Sequence, residues 1–178
     1  MRQSALIIAV PEAEPLFSAV REEHDPAARM GVPAHVTVLL PFIPADMVDA
    51  QSLAALRELF RREPRFSYRF EHVNTFGDVT VYLEPTPAGA FVRLTQLAVQ
   101  RWPEYPSYGG EFDEIVPHLT VGDRLMAGQA APLVSQTRAG LRSDGPITGE
   151  ASAISLMVED DRGFWSAAAA FPLGPHPA

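Results

Sequence analysis

Pro33-Ala34-His35-Val36-Thr37-Val38-Leu39-Leu40-Pro41 and Val116-Pro117-His118-Leu119-Thr120-Val121-Gly122-Asp123 are two versions of one pattern. Each sets a His and a Thr two residues apart inside an apolar, β-branched run, and that alternation reads as a strand. Side chains at i and i+2 of a strand share a face, roughly 7 Å apart at a rise of about 3.3 Å per residue. Each stretch therefore offers one imidazole and one hydroxyl to a common side. Val36 and Val38, like Leu119 and Val121, point the other way, toward a core.

The flanking sequence extends the pattern. Residues 3–10 read as a strand, followed by a helix over 12–24 with Leu16, Phe17 and Val20 on one side and Asp25-Pro26 at its end. A loop over 29–34 leads into the first His-Thr strand. Pro44-Ala45-Asp46 reads as a helix start with Asp46 as the cap, and Pro64 as the stop. Phe66, Tyr68 and Phe70 alternate with polar residues, and a turn at Gly77-Asp78 joins this strand to one over 79–84 as a hairpin. A helix over 90–101 and an aromatic, Pro- and Gly-rich loop over 102–116 precede the second His-Thr strand. Such loops are frequent sites of ligand contact. A helix over 130–142, one long strand over 147–158 and a last strand over 164–173 complete the chain.

Laid side by side, residues 33–84 and 116–173 each read as His-Thr strand, helix, strand, strand. The expectation is a single α+β domain over 1–178 built by internal duplication. It would have two pseudo-symmetric lobes of antiparallel sheet flanked by helices, and a central cleft carrying the two His-x-Thr strands. A pseudo-two-fold arrangement would set the two His-Thr faces opposite each other across that cleft.

Composition narrows the chemistry. The 178 residues are enough for a substantial core, and 47% of them are hydrophobic. No run reaches the roughly 18 apolar residues of a membrane span. The apolar start runs straight into Pro11-Glu12, so it reads as a first strand rather than a secretion signal. There is no cysteine, which removes disulfides, thiolate metal sites and a Cys nucleophile. All 14 basic residues are arginine, a sign of GC-rich coding of the kind seen in bacteria. The missing lysine removes Schiff-base chemistry and a P-loop lysine. A net charge of −8 disfavours wrapping long nucleic acid and leaves room for a small nucleotide.

Two histidines facing one site suit paired acid–base catalysis, one imidazole neutral and accepting a proton, the other charged and donating. Thr37 and Thr120 can hold an anionic oxygen. Metal-independent phosphodiester chemistry needs this set. Which histidine is base and which acid stays open, because the motifs are near-symmetric. Other readings are a zinc site of the two histidines with Asp123 or Asp113, a nucleotide-binding module without catalysis, and a duplicate with two core histidines. Tyr108, in the loop, and Arg124, on the His118 face if the strand continues, are candidate substrate contacts. Tyr82, Tyr105, Phe112 and Trp165 are further stacking candidates. His24 at a helix end, His72 on a strand and His176 in the tail have structural readings.

These residues resemble the two-histidine (2H) phosphoesterase superfamily, which includes the 2′-5′ RNA ligase and cyclic phosphodiesterase families. Its signature is a pair of His-x-Thr/Ser-x motifs, here His35-Val36-Thr37-Val38 and His118-Leu119-Thr120-Val121. The resemblance extends over residues 3–173, including the Tyr-Gly-Gly loop that runs into Val-Pro-His-Leu-Thr-Val. It implies a two-lobed α+β fold and hydrolysis of 2′,3′-cyclic or 2′-5′ ribose-linked phosphodiesters. It implies His35, Thr37, His118 and Thr120 as the catalytic set, with no cofactor and no metal. The expected partner is a nucleotide or an RNA-end phosphodiester, as in RNA processing, met by a cytoplasmic monomer with no membrane association.

Overall fold

The computed structural model describes residues 2–112 and 114–175. Its eight strands are β1 (Ser4–Ala9), β2 (His35–Leu39), β3 (Phe66–Phe76), β4 (Thr80–Thr86), β5 (Leu119–Gly122), β6 (Ile147–Ala151), β7 (Ala153–Glu159) and β8 (Trp165–Pro172). They form one curled antiparallel sheet in the order β6-β3-β4-β5-β2-β1-β7-β8. The two His-Thr strands, β2 and β5, are its central neighbours, paired through Val36 and Leu119. On one side of this seam lie β4, β3 and β6, and on the other β1, β7 and β8. The hairpin that follows each His-Thr strand in sequence therefore joins the half that carries the other one.

This arrangement differs from motifs facing each other across a gap. The lobes are halves of one sheet joined edge to edge, and both His-Thr pairs sit side by side on the floor of the cleft. The reason lies in the strands themselves. Both have an apolar back, and only pairing at the centre buries both backs in a common core while satisfying the backbone of each.

The long helices cover the opposite face of the sheet, and one short helix packs beside the cleft. They are α1 (Glu14–His24), α2 (Pro26–Arg29), α3 (Ala50–Phe60), α4 (Ala88–Arg101) and α5 (Ala130–Asp144). α1, which leads into β2, packs on β5, and α4, which leads toward β5, packs on β2. The helix that precedes one motif thus supports the other. Val36, Val38, Leu119 and Val121 are buried in the core with Phe17, Leu56, Phe91 and Leu133 from these helices.

Three expectations need correction. The cap of α3 is Asp49, which forms a capping box with Ser52, while Asp46 pairs with Arg2 instead. Asp25 ends α1 but also caps α2, accepting from the Ala27 amide, so a helical turn occupies part of the 25–34 connection. The run 147–158 is two strands. Ser152 separates β6, paired with β3, from β7, paired with β1. One apolar run can serve both ends of the order because the sheet curls until its edges approach. Gly174, just after β8, bridges to Pro64, just before β3.

Candidate active site

Register builds the site from the strands. Ile7 of β1 lies opposite Thr37, Ala9 lies opposite His35, and Tyr82 of β4 lies opposite Thr120. With Val36 opposite Leu119, the antiparallel pairing sets His35 opposite Thr120 and Thr37 opposite His118. Two rows result, Tyr82–Thr120–His35–Ala9 and His118–Thr37–Ile7. Each row takes one His from one motif and one Thr from the other. The histidines lie on a diagonal, a relation that places side chains about 7–8 Å apart.

Both imidazoles are held in the same way. Nδ1 of His35 meets the Pro33 carbonyl at 2.7 Å, and Nδ1 of His118 meets the Val116 carbonyl at 2.7 Å. A carbonyl only accepts, so each Nδ1 carries a hydrogen and each neutral ring presents the bare Nε2 to the cleft. The partner is the backbone two residues upstream, where a proline stands beside or at the contact in both motifs.

The electrostatic settings differ. Burial pushes the His35 imidazole down to about 4, and the Arg21 guanidinium and His118 push the same way, against the Pro33 carbonyl and Asp25. Burial also lowers His118, where the Val116 carbonyl and the Asp123 carboxylate oppose it. His118 is boxed by aromatic rings. Phe76 lies 5.1 Å away edge-on, Tyr82 5.4 Å away, and Tyr108 6.4 Å away at 19° from parallel. Phe76 and Tyr82 stack on each other at 4.2 Å.

Arg21 stands behind this floor. It is 2% exposed although it carries a full charge. Its Nε donates to the Thr120 carbonyl at 3.1 Å, and its Nη2 to Asp25 Oδ2 at 2.8 Å and to the Val32 carbonyl at 3.3 Å. One guanidinium thus ties the second motif to the connection that leads into the first.

Tyr108 lies in the loop before the second motif with a positive φ of 49°, and its amide donates to the Leu40 carbonyl at 2.7 Å. Its hydroxyl is within hydrogen-bonding reach of Thr37. It touches both motifs. Arg124 is placed otherwise than on a continued strand. β5 stops at Gly122, Arg124 takes φ 53°, and its side chain is 83% exposed. It borders a cavity of about 480 Å³ that His35, Thr37, Asp123, Met157 and Trp165 also line. A cavity of about 640 Å³ beside His72, Arg138 and Arg142 includes no motif residue.

Of the other aromatic candidates, Tyr105 packs on Phe42 and Phe112 on Tyr108. His24 ends α1, beside Glu23, and His72 is exposed on β3. His176 and Asp113 lie outside the described residues. Among the described residues no group of three His, Asp or Glu side chains is placed to hold a metal ion, and no helix is long and apolar enough to cross a membrane.

Sequence reasoning missed Arg21 and Phe76. Arg21 had a signal, since it follows Phe17 by one helical turn and so falls on the apolar side of α1, with Asp25 four residues on. Phe76 had none beyond its alternation, because its contact with His118 needs β4 and β5 to be neighbours.

The chain belongs to the 2′-5′ RNA ligase superfamily, whose family model matches residues 9–163. No curated protein matches it in sequence. Among solved structures it is similar to E. coli LigT complexed with 3′-AMP, at 17% identity and a TM-score of 0.63 over 97% of this chain and 98% of that one. LigT complexed with NADP+ gives a TM-score of 0.59 at the same identity and coverage. TT0787 of Thermus thermophilus gives 0.61 at 19% identity, over 99% of this chain and all of that one. At these identities the likeness is one of fold.

Proposed function

We propose that this chain is a metal-independent phosphoesterase that hydrolyses 2′,3′-cyclic or 2′-5′ ribose-linked phosphodiesters of nucleotides. The observation that carries the reading is the pair of rows, His35 beside Thr120 and Thr37 beside His118, with Nδ1 of each ring taken by a backbone carbonyl and Nε2 left for the substrate. A phosphorus atom seated between the diagonal histidines has an imidazole on each side and a hydroxyl beside each imidazole.

The charge pattern favours His35 as the base. It is the more strongly held neutral, with Arg21 behind it, whereas Asp123 favours charge on His118. His35 Nε2 takes a proton from the attacking water as the new P–O bond forms. The bond from phosphorus to one ribose oxygen breaks, and His118, which enters the step as the imidazolium, gives that oxygen the proton on its Nε2. Thr37 and Thr120 donate to the non-bridging oxygens, whose charge grows in the transition state, so their bonds strengthen there. Proton positions return to the start when the pair exchanges through water.

Nucleotides are the natural substrate class, as the LigT complexes with 3′-AMP and NADP+ also illustrate for that protein. The test is hydrolysis of the four 2′,3′-cyclic nucleotides and a 2′-5′ dinucleotide in EDTA by wild type, His35→Ala and His118→Ala. Turnover in chelator that either substitution lowers at least 1,000-fold, with the circular dichroism unchanged, is the expected result (about 10²–10⁴ per acid–base group). Turnover that survives both, or that needs added metal, overturns the reading. Binding without turnover of any of these substrates leaves the module a non-catalytic one.

A further inference from the structure

Strand β3 outruns its outer neighbour. β6 pairs with it only from Phe66 to Phe70, while β3 continues to Phe76, so beyond residue 70 its outer edge has no strand beside it. An open edge leaves backbone groups for something else to cover. Here α5 supplies part of the cover. It packs on β3 with Thr137 and Leu141 buried, and its Arg138 reaches the Val73 carbonyl at 3.5 Å. Arg142 follows Arg138 by four residues and so lies on the same side of the helix. These two arginines, with His72 and Asn74 of β3 and Glu84 of β4, line the cavity of about 640 Å³ at this edge.

The charge in this cavity runs against that of the molecule. The chain carries −8, and the arginines nearby are matched, Arg65 by Glu150, Arg69 by Glu71 and Arg93 by Glu63. Among the described residues no carboxylate pairs with Arg138 or Arg142. Glu71 also borders the cavity, but it faces Arg69 at 2.8 Å, and Glu84 accepts from the Asn74 side-chain amide at 2.6 Å. Two guanidiniums therefore stand against the single charge of Glu84, with the exposed His72 imidazole beside them. Guanidiniums one helical turn apart offer several N–H donors to one side, the arrangement that phosphate oxygens accept.

We propose that this cavity is a second phosphate site, in which Arg138 and Arg142 hold a phosphate group well apart from the one at the motifs. Register gives the separation. Thr120, Tyr82 and Asn74 lie in one row on adjacent strands, so the cavity wall at Asn74 is two strand spacings, about 10 Å, from Thr120. A single phosphate cannot occupy both places. No motif residue lines the cavity, so the site stands independently of the catalytic reading. Its ligand is a phosphate group from one of two sources, a free anion or a phosphodiester further along an oligonucleotide whose end lies at the motifs.

The experiment is an NMR titration of the full chain, labelled at its arginine nitrogens and followed at the Nε–H signals of Arg138 and Arg142. Arg138→Gln and Arg142→Gln assign the two signals. Both are expected to shift saturably with inorganic phosphate, and not with sodium chloride at matched ionic strength, in wild type and in His35→Ala/His118→Ala alike. Arg138→Gln should raise the phosphate needed to saturate Arg142 about tenfold, the loss of a charge-assisted hydrogen bond. Unfolding midpoints equal to wild type show that each variant is folded. Signals that move no further than in the chloride control overturn the site, as does a response that His35→Ala/His118→Ala abolishes, which places the phosphate at the motifs. Calorimetry in the His118→Ala background separates the sources, using a trinucleotide and a mononucleotide that both end in a 2′,3′-cyclic phosphate. If Arg138→Gln/Arg142→Gln weakens the trinucleotide about tenfold or more and the mononucleotide less than twofold, the site serves the strand. Unchanged binding of both, with the phosphate shifts intact, assigns the site to the free anion. Equal weakening of both overturns its separation from the motifs.

Discussion

Tyr108 lies over His118 with their rings 6.4 Å apart and 19° from parallel, while its hydroxyl reaches Thr37 of the other motif. One loop residue therefore contacts the imidazole of one motif and the hydroxyl of the other. Tyr108→Phe keeps the ring and loses the hydroxyl, and it should lower kcat/KM about threefold to tenfold, the cost of one neutral hydrogen bond. Tyr108→Ala frees the imidazole as well and should lower kcat about 100-fold, the penalty of a misplaced catalytic group. Steady-state kinetics on a 2′,3′-cyclic nucleotide checks both, and equal activity in all three proteins would remove Tyr108 from the machinery.

The pH profile follows from the two imidazoles. As base, His35 works only when neutral, so activity rises as pH climbs through about 4. As acid, His118 works only when protonated, so activity falls as pH climbs through its value, which burial holds below the ordinary 6.5. The kcat/KM profile of the free enzyme should be a bell with its maximum between these limits, on the acid side of pH 6.5. A maximum above pH 7 would contradict the assignment.

Stability carries the same signature with a defined sign. His35 is held neutral in the folded state, at about 4 against 6.5 unfolded. Its contribution is complete above pH 6.5 and is lost as pH falls from there toward 4, because the unfolded chain takes up the proton first. His35→Gln cannot take it up. Urea denaturation at pH 7 and pH 4.5 should show wild type losing roughly 1–2 kcal/mol more than the variant over that interval, a range discounted for a half-buried ring.

Arg21 and Asp25 are a buried pair, with side chains 2% and 3% exposed and 2.8 Å apart. Arg21→Met leaves the buried Asp25 carboxylate without its ion-pair partner, and should cost about 3 kcal/mol or more. Arg21→Met with Asp25→Leu removes both charges and should regain part of that loss, although it leaves the Thr120 carbonyl without its donor. Measured by urea unfolding, a single variant as stable as wild type would mean the pair has no structural part. Activity should stay low in the double variant, because the second motif has lost its tie to α1.

Several features of this protein were legible from spacing alone. The His-x-Thr pairs, their apolar backs, the helix between each motif and its hairpin, and the α+β class follow from periods of two and 3.6 residues, which a chain carries locally. The helix cap was misplaced by three residues because Asp46 and Asp49 are equivalent cap signals. Only in the structure is Asp46 drawn away by Arg2. The run 147–158 looked like one strand because alternation says nothing about which neighbour a strand meets. The split at Ser152 depends on the sheet curling until both ends of its order are within reach.

The amino-acid sequence by itself determined which side chains the two motifs present: two imidazoles and two hydroxyls, each pair on one face of its own strand. Only the tertiary structure decided how they meet. Pairing Val36 with Leu119 sets each histidine beside the other motif's threonine, and no local pattern contains that register. It also decided that the two histidines differ, since Arg21, Asp123 and Tyr108 reach them from separate parts of the chain. The physical reason is that alternation is a property of neighbouring residues. Field, burial and register come from residues far apart in sequence, brought together by closing one core under one sheet.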